Sequence, residues 1–458
     1  MREMTDPATA HAWRALGGPA GLVEHVSSTG TPQPGGRLPT RELSRACVGV
    51  CSLAAAELLA ARTGRDMPAV RVDEGAVAVA FASERHLRVD GHRIPLFAPL
   101  SRFWPTADGW VRTHANYPHH RARLLAALGL PDSGDDADLV DRLSAALRER
   151  TAIDVQETVY AAGGLAVAVA PPGALDEPLV TRVASGEDTT GPLPPATLPA
   201  QGVRVLDLTR VLAGPVATRT LALLGADVLR VDAPWLPEDR GTHIDTGFGK
   251  RTTRLDLGQA ADRTAFEALL DTADVVVTGY RPGALDRHGL GADTLVARRL
   301  GLVVAELCAW GWAGPWTGRR GFDSLVQAGT GISVVEATDD GRPGTLPVQA
   351  LDHGTGYLLA AAVLRALTDR AVTGRGQHVR LSLAGTATWL LGIAPLPAPA
   401  EPPEEPDRWL TETDSPYGRL RHALSPIGVA GVPTDWTRPP RLWGTDEPRW
   451  GAERGGST

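Results

Sequence analysis

The chain has 458 residues, enough for two or three domains with substantial cores, and its 43% hydrophobic and 22% charged residues are typical of a globular protein. A net charge of −7 without a basic cluster argues against nucleic acid as a partner. Three cysteines form neither a disulfide framework nor a complete zinc site. No long apolar run is found at the N-terminus or elsewhere, so we expect a cytoplasmic protein with no membrane partner.

The first part of the chain alternates helical and strand patterns. Residues 1–40 are rich in Gly, Pro, Thr and Ser and predict a loose lead-in. Residues 41–62 predict a helix, and residues 69–81 alternate as a strand does. We interpret 41–180 as a smaller α+β domain, followed by a Pro- and Gly-rich linker at 181–201.

A regular alternation of strands and helices begins at residue 202 and continues to residue 394. Residues 203–232 contain a βαβ unit of about thirty residues. The pattern predicts an α/β domain with an open, mostly parallel, Rossmann-like sheet, which would bind ligands beyond the carboxyl ends of its strands. No GxGxxG motif occurs, so a dinucleotide is not indicated. Residues 395–458 are Pro-rich and predict an extended tail on the surface.

Asp352 lies between two predicted elements. The run at 347–351 predicts an extended segment, and residues 357–369 predict an Ala/Leu helix, which places Asp352 at a strand-to-helix turn. Gly354 and Gly356 remove side chains next to it, so another molecule could approach closely, and the helix N-terminus favours an anion. An Asp in this position is also an ordinary N-cap.

Two further patterns concern repeats and composition. Residues 49–81 resemble residues 356–391, with an Ala/Leu helix, then Thr-Gly-Arg, then a strand. The acid does not repeat convincingly, because Glu42 fits only if the gap is shifted, and we interpret the first copy as degenerate. Among the 46 basic residues only Lys250 is a lysine, which indicates either chance or a place where a compact ammonium is needed.

Five motifs occur in order along residues 202–391: RVLDLTRVLAGPVATRTLALLGADVLRVD, GKRTTRLDL, DVVVTGYRPGALDRHGLG, GFDSLVQAGTGIS and QALDHGTGYLLAAAVLRALTDRAVTGRGQHVRLSL. Together they resemble the class III CoA-transferases, a family that includes formyl-CoA and carnitine CoA-transferases and α-methylacyl-CoA racemase. Residues 91–111 resemble the family's small domain and 412–450 its tail, but the segment order is rearranged. The resemblance implies a homodimer, interlocked as in the family.

The resemblance implies an enzyme that transfers CoA between carboxylic acids. The aspartate matching Asp352 would attack an acyl-CoA, form an acyl–aspartyl anhydride and then carry CoA as a thioester. Backbone N–H groups at Gly354 and Gly356 would stabilise the oxyanion. The partners would be an acyl-CoA and a small carboxylic acid, with no metal and no permanently bound cofactor. His353 is interpreted as a cap or a surface residue.

The resemblance also implies a set of residues that contact CoA. They are Leu212, Ala213, Lys250, Arg251, Leu255, Asp256, Tyr280, Arg281, Arg287, Arg320 and Phe322. The racemase branch has a His where this chain has Phe322, and since Phe cannot transfer protons, racemase chemistry is disfavoured. Two alternatives stay open: an acyl-CoA isomerase or racemase, and a catalytically inert CoA-binding or scaffold protein.

Overall fold

The computed structural model describes residues 6–30, 35–173, 175–185, 191–299, 301–395 and 405–451. Within these ranges the helices are α1 (Pro7–Ala15), α2 (Thr40–Thr63), α3 (Glu74–Ala80), α4 (Ser83–His86), α5 (Pro118–Ala127), α6 (Asp136–Arg148), α7 (Ala152–Ala161), α8 (Ala213–Leu223), α9 (Arg240–Thr246), α10 (Ala260–Leu270), α11 (Ala292–Arg298), α12 (Asp323–Gly329), α13 (Ile332–Val335), α14 (Ala350–Thr373) and α15 (Leu383–Gly392). The strands are β1 (Val26–Thr29), β2 (Val70–Asp73), β3 (Arg88–Val89), β4 (His92–Arg93), β5 (Phe103–Pro105), β6 (Trp110–Thr113), β7 (Ala166–Ala168), β8 (Thr181–Ser185), β9 (Arg204–Leu208), β10 (Asp227–Asp232), β11 (Arg251–Arg254), β12 (Val275–Thr278), β13 (Val303–Cys308), β14 (Gly376–Ser382), β15 (Leu410–Ser415) and β16 (Gly418–Ala423).

Strands rich in Val and Leu build a seven-stranded sheet in the order β11-β10-β9-β12-β13-β14-β8. The first six strands are parallel and β8 joins the edge in antiparallel orientation. All four residues of β12 are buried, as expected where helices cover both faces of a parallel sheet. The strand order reverses between β9 and β12, because β10 and β11 lie on one side of β9 and β12 to β14 lie on the other. The crevice for a ligand therefore lies at the carboxyl ends of β9 and β12. The predicted α/β class with a largely parallel sheet is confirmed.

Two long buried helices, α2 and α14, pack against each other beside this sheet. Each has 24 residues, and each ends at a glycine in the left-handed conformation, Gly64 with φ 66° and Gly374 with φ 70°. Glu42 is the third residue of α2 and Asp352 is the third residue of α14. The acid therefore repeats at the same helical position without any shifted gap, which corrects the sequence alignment of the two copies.

A separate core lies within residues 100–168. The antiparallel strands β5, β6 and β7 form its sheet, and α5, α6 and α7 pack on it. A third sheet, in the order β15-β16-β3-β4, joins the hairpin of the tail to residues 88–93. The segment 41–180 therefore divides between two cores, because α2 packs within the large core and not with α5 to α7.

Three local predictions differ from the structure. Residues 69–81 form a short strand followed by α3, because the Asp73 carboxylate accepts the N–H groups of Gly75 at 2.9 Å and Ala76 at 3.0 Å and begins a helix there. The expected linker at 181–201 begins as β8, which pairs with β14. The tail is not a single extended run, since β15 and β16 pair as an antiparallel hairpin, and residues 396–404 lie outside the described residues.

One helix in the described ranges, Thr40–Thr63, has the length and hydropathy of a membrane span. In the protein 83% of its apolar window is buried, largely against α14, as in the central helix of a folded core.

Candidate active site

Asp352 lies in the first turn of α14 and is 8% exposed. The helix begins at Ala350 and not near residue 357, so the prediction of an extended run leading to a strand-to-helix turn was wrong. A second acid accounts for the early start: Asp323 Oδ2 accepts the backbone N–H of Leu351 at 2.9 Å and of Asp352 at 3.0 Å. Asp323 therefore caps this helix from α12, and Gln327 donates to its other carboxylate oxygen.

The Asp352 carboxyl has an unusual electrostatic environment. Burial raises the pKa of Asp352 well above its usual range, and the neighbouring carboxylates of Asp323 and Glu84 raise it further. Burial likewise raises the pKa of Asp323 to about 6. Within the described part of the chain, no group donates a hydrogen bond to the Asp352 side chain. A buried, weakly solvated carboxyl of this kind is typical of a reactive acid.

The two glycines after Asp352 have a different role from the predicted one. Gly354 and Gly356 lie inside α14, where helical hydrogen bonds occupy their N–H groups, so an oxyanion site at these atoms is not supported. A Cβ at Gly356 would lie 2.6 Å from the carbonyl oxygen of Ala213 in α8. A Cβ at Gly354 would lie 3.2 Å from Leu43 of α2. The close approach that they permit is that of neighbouring helices.

His353 is fully buried, which corrects its interpretation as a cap or a surface residue. Its Nε2 lies 3.1 Å from Glu84 Oε2, and its ring packs against Phe81 with centroids 5.4 Å apart. Burial opposes ionisation of Glu84, but the hydrogen bond from His353 holds the pKa of that carboxyl below its usual range. This pair places an ionised carboxylate near Asp352.

A cavity of about 480 Å³ opens at the carboxyl ends of the sheet strands, and Asp352 forms part of its wall. We call it the arginine cavity, because five arginines line it. Eight of the eleven residues predicted to contact CoA line it: Leu212, Ala213, Leu255, Tyr280, Arg281, Arg287, Arg320 and Phe322. The structure therefore brings most of the predicted set together with the predicted acid.

Three of the lining arginines have no carboxylate partner among the described residues. There, Arg281, Arg287 and Arg320 form no salt bridge, and Arg281 donates instead to the carbonyl oxygen of Gly318 at 3.0 Å. Burial and then the nearby cation Arg281 lower the pKa of Arg320. Uncompensated guanidinium groups at a cavity wall favour an anionic ligand.

Three residues of the predicted set, Lys250, Arg251 and Asp256, do not line the arginine cavity. Lys250 is 2% exposed, and its Nζ donates to Asp207 at 3.1 Å and to the carbonyl oxygen of Pro215 at 2.9 Å. Burial lowers the pKa of Lys250 to about 8, although Asp207 acts in the opposite direction. Its ammonium is therefore engaged in a buried ion pair and does not form part of the cavity wall.

Arg251 and Asp256 likewise contact other groups of the protein. Arg251 pairs with Asp227 at 2.8 Å on the far edge of the sheet. Asp256 accepts the N–H of Gly258 at 2.9 Å in a tight turn. Lys250, Arg251 and Asp256 are close in sequence to Leu255, which lines the cavity, but their side chains make other contacts.

A second cavity of about 490 Å³ meets the first at Asp352 and Phe322. We call it the apolar cavity. Side chains of the loop 94–99 and Leu87 form much of its wall. Asp352 therefore lies where a chamber with cationic side chains joins a chamber with apolar ones.

Several residues of this junction were missed by the sequence reasoning. The Phe322 ring stacks on His114, with centroids 3.8 Å apart and planes 1° from parallel. Burial holds the pKa of His114 well below its usual range, so this ring is neutral. Asp323 could have been found from the sequence, because it directly follows Phe322 in the motif GFDSLVQAGTGIS. His114 lies in a distant segment, and no pattern in the sequence pointed to it.

Another missed residue, Glu238, fixes the loop before α8. Its carboxylate accepts the hydroxyl of Tyr117 at 2.6 Å and the N–H of Val211 at 2.8 Å. Val211 has a φ of 68°, a strained conformation for a β-branched residue. Although burial opposes ionisation, Arg230 and Arg210 lower the pKa of Glu238 to about 2. An ionised Glu238 thus holds Tyr117 and Val211, which line both cavities, in place.

Residues 200–427 match the family described as CoA-transferase family III. A probable fatty acyl-CoA transferase of Mycobacterium tuberculosis is 35% identical over 205 residues, which are 42% of this chain and 52% of that protein. A formyl-CoA:oxalate CoA-transferase of Streptomyces coelicolor is 34% identical over 194 residues, 40% of this chain and 47% of that protein. The chain thus spans about half the length of these relatives.

Among solved structures, the orthorhombic form of the M. tuberculosis protein Rv3272 covers 43% of this chain and 58% of that chain, with 35% identity and a TM-score of 0.40. The match to a CAIB/BAIF family protein from Brucella suis covers 42% of this chain and 55% of that protein's chain, with 32% identity and a TM-score of 0.39.

Proposed function

Because this chain belongs to CoA-transferase family III through its residues 200–427, we propose that it is an acyl-CoA:carboxylate CoA-transferase with Asp352 as the nucleophile. The observation that carries the proposal is the shared wall of the two cavities. A buried carboxyl lacking a described hydrogen-bond donor lies at one end of a chamber whose arginines Arg281, Arg287 and Arg320 lack described carboxylate partners. A CoA thioester has phosphates for the arginines and an electrophilic carbonyl for the acid.

In the proposed reaction, an Asp352 carboxylate oxygen attacks the thioester carbonyl, a C–O bond forms, and the C–S bond breaks with its electrons on the CoA thiolate. The thiolate then attacks the Asp352 carbonyl carbon of the anhydride and expels the donor carboxylate. An acceptor carboxylate reverses these two steps and regenerates Asp352. No net proton is taken up, and each step exchanges one activated acyl group for another.

The environment of Asp352 suits this role. Carboxylates are weak nucleophiles in water because they are strongly solvated, and burial removes that solvation. The same burial and the neighbouring Asp323 raise the pKa of Asp352, so the fraction of reactive carboxylate increases with pH. Asp323 also holds the main chain of the nucleophile through its capping bond.

The relatives' names cover a probable fatty acyl-CoA transferase, a formyl-CoA:oxalate CoA-transferase and a succinyl-CoA–L-malate CoA-transferase β subunit. We infer that this chain transfers CoA between an acyl-CoA and a carboxylic acid, and that it acts as a homodimer in the cytoplasm.

The test is intact-protein mass spectrometry after incubation with a panel of acyl-CoAs, with and without hydroxylamine. Wild type is expected to gain CoA as a thioester, and hydroxylamine should convert that adduct to a hydroxamate on Asp352. Asp352→Asn should gain neither. Glu42→Gln is the matched control, since Glu42 holds the same position in α2 but does not line either cavity.

Labelling that persists in Asp352→Asn would contradict the assignment of the nucleophile. CoA binding without any covalent adduct in wild type would favour the inert CoA-binding protein instead.

A further inference from the structure

The apolar cavity carries information about the acid that the enzyme uses. Its volume of about 490 Å³ is within the range of small-ligand sites. Hydrophobic side chains dominate its wall, among them Leu87, Ile94, Leu96 and Phe97. Leu96 and Phe97 are 39% and 41% exposed, so the apolar surface extends to the mouth of the cavity.

The charges in this wall are negative. Four carboxylates besides Asp352 line the cavity, and no arginine or lysine is among its described lining residues. The cation Arg112 lies in β6, but its guanidinium lies over the rings of Phe97 and Phe103, 5.5 and 5.0 Å from their centroids. A second carboxylate on the substrate would therefore meet like charges and no described cation in the lining.

These four carboxylates already have ionic or hydrogen-bond partners within the protein, which disfavours a cationic substrate. Glu84 pairs with His353, and Glu238 pairs with Arg230 at 3.1 Å. Asp239 accepts the N–H of Thr242 at 2.9 Å at the start of α9. Asp323 caps α14.

We propose that the substrates are monocarboxylic acids with an apolar chain of several carbons, bound in the apolar cavity with the reacting carbonyl at Asp352. The proposal rests on the proposed transferase function and adds its substrate class. Short dicarboxylates and acids with an ammonium group are poor substrates for the same reason: neither finds an unoccupied partner of opposite charge among the described lining residues.

Isotope exchange tests the substrate class even though the natural acceptor acid is unidentified. Each acyl-CoA is incubated with its own ¹⁴C-labelled free acid, and the label that enters the thioester is measured. From acetyl to octanoyl, kcat/KM is expected to increase roughly fourfold per methylene, the factor for burying one CH₂. The succinyl pair should be at least about tenfold slower than the butyryl pair, which has the same number of carbons.

A substitution sharpens the comparison. Leu96→Arg places a cation at the cavity mouth and should raise the succinyl-to-butyryl ratio of kcat/KM by about tenfold. Val372→Arg is the matched control, because Val372 is 86% exposed at the other end of α14, and its ratio should equal that of wild type. A wild-type preference for succinyl over butyryl, or an unchanged ratio in Leu96→Arg, would overturn the proposal.

A failure of the proposed transferase function gives a different result from a failure of the proposed substrate class. If no acyl pair exchanges label, the transferase assignment is overturned, and calorimetry with the same thioesters then decides the cavity's chemistry. Affinity that increases with chain length supports an apolar site, whereas tighter binding of succinyl-CoA or of a trimethylammonium acyl-CoA refutes it.

Discussion

The Asp323 carboxylate accepts the backbone N–H of Asp352 at 3.0 Å. One buried acid thus holds the main chain of another, and their negative charges raise the free energy of the doubly ionised state. The two residues therefore affect each other both as a cap and as a pair of titrating groups, and conservative substitutions separate these effects.

Asp323→Asn keeps an oxygen acceptor but removes the charge. Since the Asp323 carboxylate contributes to the raised pKa of Asp352, the pH profile of single-turnover thioester formation should shift to lower pH in this variant. The rate of wild type should fall as pH falls through the raised pKa, because Asp352 becomes protonated. A profile identical in both proteins would show that Asp323 has no electrostatic influence.

Asp323→Ala removes the cap as well. The N–H groups of Leu351 and Asp352 then lose their acceptor, and the expected loss of unfolding free energy is about 1 kcal/mol more than in Asp323→Asn. Chemical denaturation of both variants measures this difference, and equal stabilities would contradict the capping role.

Asp352→Asn should stabilise the protein at alkaline pH. A carboxyl whose folded pKa lies above its unfolded value contributes full stability below the unfolded pKa, and this contribution is lost as pH rises through the folded pKa. The variant lacks that loss, so we expect it to be more stable by about 0.5–2 kcal/mol at pH 8 and equal to wild type near pH 4. Thermal unfolding at both pH values is the measurement. A variant less stable at pH 8 would refute the raised pKa.

The three arginines without described carboxylate partners should each contribute to CoA affinity. Changing Arg281, Arg287 or Arg320 to Gln is expected to weaken CoA binding by about tenfold, with a smaller effect at high salt. Calorimetric titration with CoA measures the change. Arg65→Gln is the control, because Arg65 is exposed at the end of α2. If all four variants bind equally well, the phosphates do not occupy the arginine cavity.

Lys250→Met should act on stability and not on binding. Removing one partner of a buried ion pair leaves the Asp207 carboxylate without its ammonium, which typically costs about 3–5 kcal/mol. The Kd for CoA of the folded fraction should remain within about twofold of wild type. A stable variant with a large loss of affinity would instead support the prediction from the sequence that Lys250 contacts CoA.

Sequence patterns predicted the parallel sheet well because they are local: a buried strand such as Val275–Thr278 is an uninterrupted apolar run. The resemblance also located Leu212, Tyr280 and Arg281 at one cavity, since loops at strand ends converge in this topology. Lys250 lies outside that cavity, because position in a loop does not determine side-chain direction. Its ammonium donates to Asp207 instead.

The start of α14 was not predictable from its own residues. Two glycines in its second turn weaken the local helix propensity, and that deficit is offset by contacts made far away in sequence. Asp323 supplies the cap, and Ala213 of α8 and Leu43 of α2 fill the space that the glycines leave. The same long-range packing buries His353, which sequence reasoning interpreted as a cap or a surface residue.

The pairing of α2 with α14 has a consequence for how the protein assembles. Two helices of equal length that face each other from separate polypeptides would part on dilution. Here both belong to one chain, so the effective concentration of one for the other is set by the connecting polypeptide. The support that α2 gives to the helix of Asp352 is consequently independent of protein concentration.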